Sequence, residues 1–346
     1  MTSPCEVPMR RLLVFLAVLL LALTGCGSGN DEAPQTAASQ GGAFPVTIKN
    51  KYGDTVVEKA PQRIVTVGLV EQDALLALGV VPVATTEWFG EKPGALFPWA
   101  KAKLGDHDNA AVPQVLSDKD GIQFEKIAAL RPDLIIGLYS GISADDYQKL
   151  TAIAPTVAQP AGVPDYGVSW QVVARTVGQA VGKPAQADEL VKGIETRFAE
   201  VRAQHPEFKG RPALMATPYE GYFIYGTQDP RSRLLTDFGF VLPDGLDKAI
   251  GDKFGANISA ERISLLDQQA LVWFPTKGGT AKLKADPLYK NLKVRTEGRD
   301  VFVEENYDDQ LYGATSFVSV LSLPIVLDGL VPKLAAAVDG NPATNA

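Results

Sequence analysis

The sequence predicts an α/β protein of two similar lobes with parallel-type sheets, joined by a long, kinked backbone helix. Three observations lead to this prediction: an internal repeat whose copies lie 136 residues apart, a second repeat that precedes each copy, and a long helical pattern between them. A unit that occurs twice predicts two similar lobes, because each copy can build the same layered structure. Two similar lobes in turn predict a cleft between them.

The main repeat consists of an acidic residue, a short amphipathic helix and an apolar strand about nine residues after the acid. Its copies are residues 125–136 (EKIAALRPDLII) and 261–272 (ERISLLDQQALV). Before each copy, a Leu-Leu helix ends near a Gly and leads into a strand, in residues 75–82 and 234–243. Chance similarity between short Leu-rich helices is the alternative, but the shared order of elements favours a duplication.

The N-terminus has the pattern of a lipoprotein export signal. Two arginines at positions 10 and 11 precede the apolar run 12–23, and Leu-Thr-Gly-Cys follows at 23–26. The run is too short for a stable membrane-spanning helix and ends in small residues, which is typical of signal cleavage. We therefore expect cleavage before Cys26, lipid attachment to its thiol, and anchoring to the outer face of the cell membrane. An uncleaved short membrane segment is the alternative.

The composition argues against a nucleic-acid-binding protein and against a fold held by disulfides. The formal charge of −7 becomes −8 once residues 1–25 are removed, and the remainder has no basic run, so nucleic acid is an improbable partner. The two cysteines are Cys5, inside the signal, and Cys26, so no thiol is left for a disulfide. The fold must rest on its apolar core, for which about 300 residues suffice.

The elements after the signal follow in a regular order. Residues 27–43 are small and polar and predict a disordered tether. A hairpin is expected around the turn at 51–54, and then a buried strand at 64–68. The helical pattern of 168–208 contains Pro184, which should kink or divide it, and a last helix is expected around 315–330.

The expected organisation is: 1–25 signal, 26–43 tether, 44–166 N-terminal lobe, 167–208 backbone helix, 209–338 C-terminal lobe and 339–346 tail.

Common catalytic arrangements are missing from the sequence. Its two histidines, His107 and His205, have no His or Cys at the spacing of metal ligands, which disfavours a metal site and a Ser-His-Asp triad. The segment 137–141 (GLYSG) does not match the spacing of a nucleophile elbow, and no phosphate-binding glycine loop is present. The sequence thus argues against an enzyme.

Aromatic residues follow several predicted strands. In parallel α/β lobes, ligands bind at the carboxyl ends of strands, so these residues are candidates for the cleft. Aromatic rings with phenolic hydroxyls suit a bulky, partly apolar ligand with surface oxygens, although a core role is equally compatible with any one of them. The candidates are Trp88, Phe89, Tyr139, Tyr219, Tyr225 and Tyr307.

A second candidate segment begins at Asp229. Asp229 as N-cap and Pro230 as the first helical residue would place Arg231 and Arg233 in the first turn of a helix. Cations there oppose the helix dipole, so an anionic partner nearby would explain them, and solvated surface arginines are the alternative.

The acids that open the two repeats, Glu125 and Glu261, are candidates for docking to a partner. A carboxylate in the first turn of a helix is favourable by itself, which is the structural explanation. Because the two acids occupy equivalent places on two lobes, they can also present a pair of charges to a pseudo-symmetric partner.

The sequence resembles the helical-backbone (class III) substrate-binding proteins of ABC importers for ferric siderophores, haem and vitamin B12. The matching segments are residues 61–65, 124–135, 152–157 and 316–324 and the repeat that begins at Glu261. The resemblance covers almost all of residues 44–336, and segments 71–76 and 86–90 look most like the actinobacterial iron-siderophore lipoproteins. It implies the periplasmic-binding-protein fold, a cleft that holds cargo through aromatics and arginines, and Glu125 and Glu261 at the lobe tips facing permease arginines.

The resemblance further implies a monomeric, non-enzymatic receptor that captures a ferric siderophore. Iron would stay coordinated by the siderophore, so no metal ligand or cofactor of the protein's own is expected. A haem receptor of the same class is the second interpretation, with Tyr139, Tyr219 or Tyr307 as axial ligand. A secreted hydrolase is the alternative from a different class.

Overall fold

The computed structural model describes residues 44–87, 91–105, 112–251, 253–306 and 310–344. All of them belong to one unit, Gly42–Ala346. The predicted signal, Cys26 and the tether lie outside the described residues, as do Trp88, Phe89, His107 and Tyr307. Within the described part of the chain, no helix is both long and apolar enough to cross a membrane.

The N-terminal lobe contains a two-stranded hairpin and a five-stranded sheet. Its elements in chain order are β1 (Val46–Asn50), β2 (Gly53–Val57), β3 (Ile64–Thr66), α1 (Glu71–Ala77), β4 (Ala84–Glu87), α2 (Pro98–Lys101), β5 (Gln114–Ser117), α3 (Phe124–Ala129), β6 (Leu134–Gly137), α4 (Ala144–Thr151) and β7 (Thr156–Ala158). The sheet order is β5-β4-β3-β6-β7, and every pair in it is parallel.

Two helices, α5 (Trp170–Ala180) and α6 (Pro184–Gln204), lead to the C-terminal lobe. The elements of that lobe are β8 (Ala213–Thr217), β9 (Tyr222–Tyr225), α7 (Pro230–Phe238), α8 (Leu246–Ile250), β10 (Gly255–Ile258), β11 (Ala270–Trp273), α9 (Gly279–Lys284), α10 (Lys293–Thr296), β12 (Asp300–Phe302), α11 (Gln310–Ser316) and α12 (Leu323–Val338). Their sheet order is β10-β9-β8-β11-β12.

The predicted fold class is confirmed, and the two copies of the main repeat occupy matching places. Strand β6 lies beside β3 in the first sheet, and β11 lies beside β8 in the second. The buried residues of the preceding helical turns, Ile127 and Leu266, are fully enclosed. The second copy, Ala260–Leu266, is a 3₁₀ helix rather than an α-helix.

The second lobe departs from the expected parallel pattern. Strand β9 is antiparallel to β8, because a tight turn at 218–221 returns the chain directly onto the same sheet. Strand β10 pairs with β9 and is also antiparallel to it. The strand expected after the second Leu-Leu helix is reduced to a single bridge between Val241 and Pro212. The lobes are therefore similar around their central strands and different at one edge.

The helical passage between the lobes is divided at Pro184, as its pattern predicted. Proline lacks an N–H and fixes φ, so it starts α6 rather than continuing α5. The two helices fold back on each other, since Arg175 pairs with Asp188 at 2.9 Å and the Trp170 and Phe198 rings lie 6.4 Å apart. Only α6, with 21 residues and a length of about 30 Å, runs toward the second lobe.

The expected helix at 315–330 is also two helices. Residues 317–322 interrupt it, because serine side chains there bond the backbone in place of a helical ladder. The Ser322 hydroxyl donates to the Phe317 carbonyl at 2.7 Å, and the Ser319 amide donates to the Ser322 hydroxyl at 2.9 Å.

The two lobes share buried polar and apolar contacts. In α1 of the first lobe, the Asp73 carboxylate is buried and accepts from Trp99 Nε1 at 2.8 Å. It also accepts from the hydroxyl of Ser319, which lies between α11 and α12. The Phe97 and Phe317 rings lie 5.3 Å apart beside it. Such contacts resist large movements of one lobe against the other.

We expect Asp73 to make stability fall as pH rises. Burial raises the pKa of this carboxyl to about 6 from 3.8, against the opposing hydrogen bonds from Ser319 and Trp99. Between these values the folded protein holds a proton that the unfolded chain has released. The contribution of Asp73 to the free energy of unfolding is therefore fully present below pH 4. It is lost as pH rises through 6, and the loss is about 3 kcal/mol at most.

Urea denaturation of wild type and Asp73→Asn between pH 4 and 7.5 measures this effect. Wild type should lose stability relative to the variant across that range. A constant difference between the two proteins would show that Asp73 titrates normally.

Candidate functional site

A cavity of about 210 Å³ opens between the lobes, at the carboxyl ends of the first sheet. Leu69 follows β3, Asp118 follows β5 and Tyr139 follows β6, which is where ligands bind in parallel α/β sheets. The remaining lining residues come from the segment before α5 and from the second lobe: Tyr166, Asp229, Arg231 and Phe254.

Tyr139 is the predicted site residue that the structure places most clearly in the cleft. Its ring is largely buried and meets the Tyr166 ring edge-on, with centroids 5.6 Å apart. Burial and the Asp229 charge raise the pKa of the Tyr139 phenol, outweighing the opposing charges of Arg231 and Arg233. The phenol therefore stays protonated at neutral pH and is available as a hydrogen-bond donor.

A buried carboxylate fixes the backbone at Tyr139. Glu71 Oε1 accepts from the Tyr139 amide at 2.7 Å, and Oε2 accepts from the Val70 amide at 3.1 Å. Burial raises the pKa of Glu71, and these hydrogen bonds oppose the shift. The carboxylate lies directly against Gly68, where a Cβ atom would collide with it. Gly68 and Glu71 together set the position of the Tyr139 loop.

Arg231 forms a buried ion pair at the start of α7. As predicted, Asp229 is the N-cap, and it accepts from the Arg231 amide at 2.8 Å. The same carboxylate receives Nε at 2.8 Å and Nη2 at 2.7 Å from the Arg231 side chain. Burial acts to lower the pKa of Arg231, but the Asp229 charge outweighs it and the net shift is upward. Thus the chain itself supplies an anionic partner for this arginine.

The structure does not bring Arg233 to the same place. Residues two apart on a helix point in different directions, and the Arg233 Nη2 atom donates to the Gly167 carbonyl at 2.8 Å. Arg233 lines a different cavity, of about 390 Å³, with Trp170 and Asp237. Its contact with the segment before α5 gives it a structural role at the junction of the lobes.

The tyrosines around β9 are not placed as the sequence suggested. Tyr222 and Tyr225 lie within β9, because the chain forms a hairpin there instead of a loop. Tyr225 is buried under the Arg231 guanidinium, 3.9 Å from its ring centroid, and so supports Arg231. Tyr219 is 60% exposed on the hairpin turn and does not line the cavity. Trp88, Phe89 and Tyr307 lie outside the described residues.

Several lining residues were not predicted from the sequence as ligand-binding residues, among them Asp118, Tyr166 and Phe254. Asp118 directly follows a strand, and recognition of β5 would have identified it. Tyr166 lies in a Pro- and Gly-containing segment (AGVPDYG, 161–167) with a positive φ of 56°, and no periodic pattern marks it. Phe254 is half-exposed before β10, which resembles an ordinary loop residue in sequence.

The two repeat acids lie on different lobes and on the surface. Glu125 in α3 and Glu261 in the 3₁₀ helix are both exposed, at the starts of equivalent elements. Glu261 accepts from the Ser259 hydroxyl at 3.1 Å. Their placement on matching elements is compatible with a partner that contacts both lobes.

Among the described residues, no cluster of three or more His, Cys, Asp or Glu side chains has the geometry of a metal site. The His205 imidazole pairs instead with Glu207, at 2.8 Å between Nδ1 and Oε1.

Known proteins match this chain over most of its length. A family model described as periplasmic binding protein matches residues 64–302. The Fe(3+) dicitrate-binding periplasmic protein FecB of Escherichia coli is 30% identical over 267 residues, which cover 76% of this chain and 84% of that protein.

Two solved structures also match. A periplasmic solute-binding protein from Mycobacterium smegmatis is 38% identical with a TM-score of 0.74, covering 85% of this chain and 98% of the other. Streptococcus pneumoniae PiaA in complex with ferrichrome is 26% identical with a TM-score of 0.73, covering 85% and 99%.

Proposed function

The chain belongs to the periplasmic binding protein family, and we propose that it captures a ferric siderophore and delivers it to the permease of an ABC importer. The observation that carries this proposal is the cleft, to which both lobes contribute: Tyr139 and Tyr166 from one side, Arg231 and Phe254 from the other. Relatives that bind Fe(3+) dicitrate and ferrichrome support iron as the metal in the cargo.

The geometry suits capture of a complete metal complex. A cavity of about 210 Å³ is smaller than a typical enclosed ligand pocket, so it holds one face of a siderophore and leaves the rest toward solvent. Aromatic rings contact the organic shell, and the phenols donate to its oxygens. Iron remains coordinated by the siderophore. The shared contacts of Asp73 and Ser319 keep closure of the lobes small.

The lipoprotein export signal, with Leu-Thr-Gly-Cys at residues 23–26, supports attachment of the protein to the membrane. Lipid on Cys26 would anchor the mature chain to the outer face of the cell membrane, with residues 27–43 as a spacer that lets a monomeric receptor reach the permease.

Titration of intrinsic tryptophan fluorescence tests the proposal. Ferric complexes of hydroxamate, catecholate and carboxylate siderophores are added to the exported protein, with the iron-free siderophores as controls. We expect saturable quenching by at least one ferric complex and weaker quenching by its iron-free form. Absence of binding across all three classes would overturn the proposal, and a saturable Soret shift with haem alone would assign a haem receptor instead.

Replacing both Glu125 and Glu261 by alanine should stop uptake without weakening capture. The two acids are exposed on separate lobes and do not line the cavity, so cargo affinity should stay within about twofold while uptake falls at least tenfold. Uptake of radioactive ferric siderophore by cells measures the second quantity. The matched control is Glu189→Ala with Glu200→Ala, two exposed glutamates of α6. Normal uptake by the Glu125/Glu261 variant would refute the docking role.

A further inference from the structure

We infer, resting on the proposed function, that the cargo is an electroneutral ferric complex of the tris-hydroxamate class rather than a polyanionic catecholate or citrate complex. The cleft presents few charges, and their sum decides whether a bound anion is neutralised.

The charged lining of the cleft sums to a negative value. Asp118, Asp229 and Arg231 contribute two negative charges and one positive charge. The arginine is already committed, because its Nε and Nη2 atoms both donate to Asp229 and its guanidinium lies over the Tyr225 ring. An anionic cargo would have to compete with a buried carboxylate for this one cation.

Among the described residues, no Lys or Arg other than Arg231 lines this cavity, although the Arg233 charge acts on the Tyr139 phenol. Arg233 donates to the Gly167 carbonyl and lines a different cavity. A further cavity of about 480 Å³ is lined by segments 162–164 and 227–228, which are close in sequence to Tyr166 and Asp229. Among the described residues that line it, Asp247 is the charged one, and it is negative. The internal segments outside the described residues, 88–90, 106–111, 252 and 307–309, contain no Lys or Arg, and their one basic side chain is His107.

The chemistry of ferric complexes separates on charge. Three hydroxamates, each singly deprotonated, neutralise the charge of Fe³⁺, whereas three doubly deprotonated catecholates leave the complex with a charge of −3. Ferric citrate complexes are also anionic. In a partly desolvated cleft of net negative charge, each additional negative charge on the cargo is repelled. Haem carries two propionates and meets the same obstacle.

The neutral groups of the cleft fit an uncharged complex. The Tyr139 and Tyr166 phenols, whose pKa values burial raises, can donate to hydroxamate oxygens without adding charge. The apolar side chains of Leu69 and Phe254 face the same cavity and can contact the carbon linkers of the siderophore.

Dissociation constants for three probes test the inference: ferrichrome, ferric enterobactin as the trianionic complex, and ferric citrate. Fluorescence titrations are run at low and high NaCl. We expect ferrichrome to bind at least tenfold more tightly than either anionic complex, with little dependence on salt. Asp118→Asn should change the ratio of the ferrichrome affinity to the ferric enterobactin affinity by about tenfold in favour of ferric enterobactin. The control is Asp188→Asn, at an exposed position of α6, and it should leave this ratio unchanged.

The outcomes distinguish the two claims. If none of the complexes binds, the proposed function fails. If ferric enterobactin or ferric citrate binds more tightly than ferrichrome, the function stands and the inference about charge is wrong. It is also wrong if ferrichrome is preferred but Asp118→Asn leaves the ratio unaltered, because cleft charge would then not set the preference.

Discussion

Replacement of Arg231 by alanine is expected to lower the free energy of unfolding by about 3 to 5 kcal/mol. The Asp229 side chain is 2% exposed and the Arg231 side chain 11% exposed, so the variant leaves a carboxylate buried without its partner. Loss of the guanidinium also uncovers the Tyr225 ring. Urea denaturation followed by circular dichroism measures the effect.

Two further variants separate the ion pair from other contributions. Asp229→Asn with Arg231→Met removes both charges and keeps an N-cap acceptor, so it should cost less than Arg231→Ala alone. Arg197→Ala breaks an exposed pair with Asp328, 2.6 Å long, and should cost less than about 1 kcal/mol. A loss for Arg231→Ala as small as that for Arg197→Ala would contradict a strongly coupled buried pair.

Gly68→Ala is expected to destabilise the protein by about 1 to 3 kcal/mol and to weaken cargo binding. A Cβ atom at position 68 collides with the Glu71 carboxylate, which must move and release the Tyr139 amide. The Tyr139 phenol then loses its fixed position in the cleft. Denaturation and fluorescence titration of the same variant measure the two effects.

Gly193→Ala is the matched control. Gly193 is exposed in the middle of α6, with no atom within 4 Å of an added Cβ. Alanine there should stabilise the protein by about 0.5 to 1 kcal/mol and leave cargo affinity unchanged. If Gly68→Ala retains full cargo affinity, the Glu71 carboxylate does not control the position of Tyr139.

The parts of the fold that depend on local patterns could be predicted from sequence. Glu125 and Glu261 start equivalent elements because each is followed by the same spacing of apolar residues. Pro184 divides the helices because its ring cannot continue α5. Asp229 and Pro230 start α7 through side-chain capping and a fixed φ. In each case the cause lies within a few residues.

The site could be predicted less well because its geometry depends on contacts between distant segments. Arg231 and Arg233 look equivalent in sequence, but their side chains point to different sides of the helix. Arg231 therefore bonds to Asp229, and Arg233 bonds to Gly167. Tyr166 reaches the cleft only through the path of an irregular segment. Such placements follow from tertiary packing, which local propensity does not encode.

We propose that a ferric siderophore binds in the cleft between Tyr139 and Arg231. The most direct test of this proposal is a crystal of the protein grown with the ferric complex that binds most tightly, measured at the iron absorption edge. We expect an anomalous peak for iron over the cavity lined by Tyr139, Tyr166 and Phe254, with siderophore oxygens as the iron ligands. A peak elsewhere on the molecule, or iron coordinated directly by protein side chains, would contradict it.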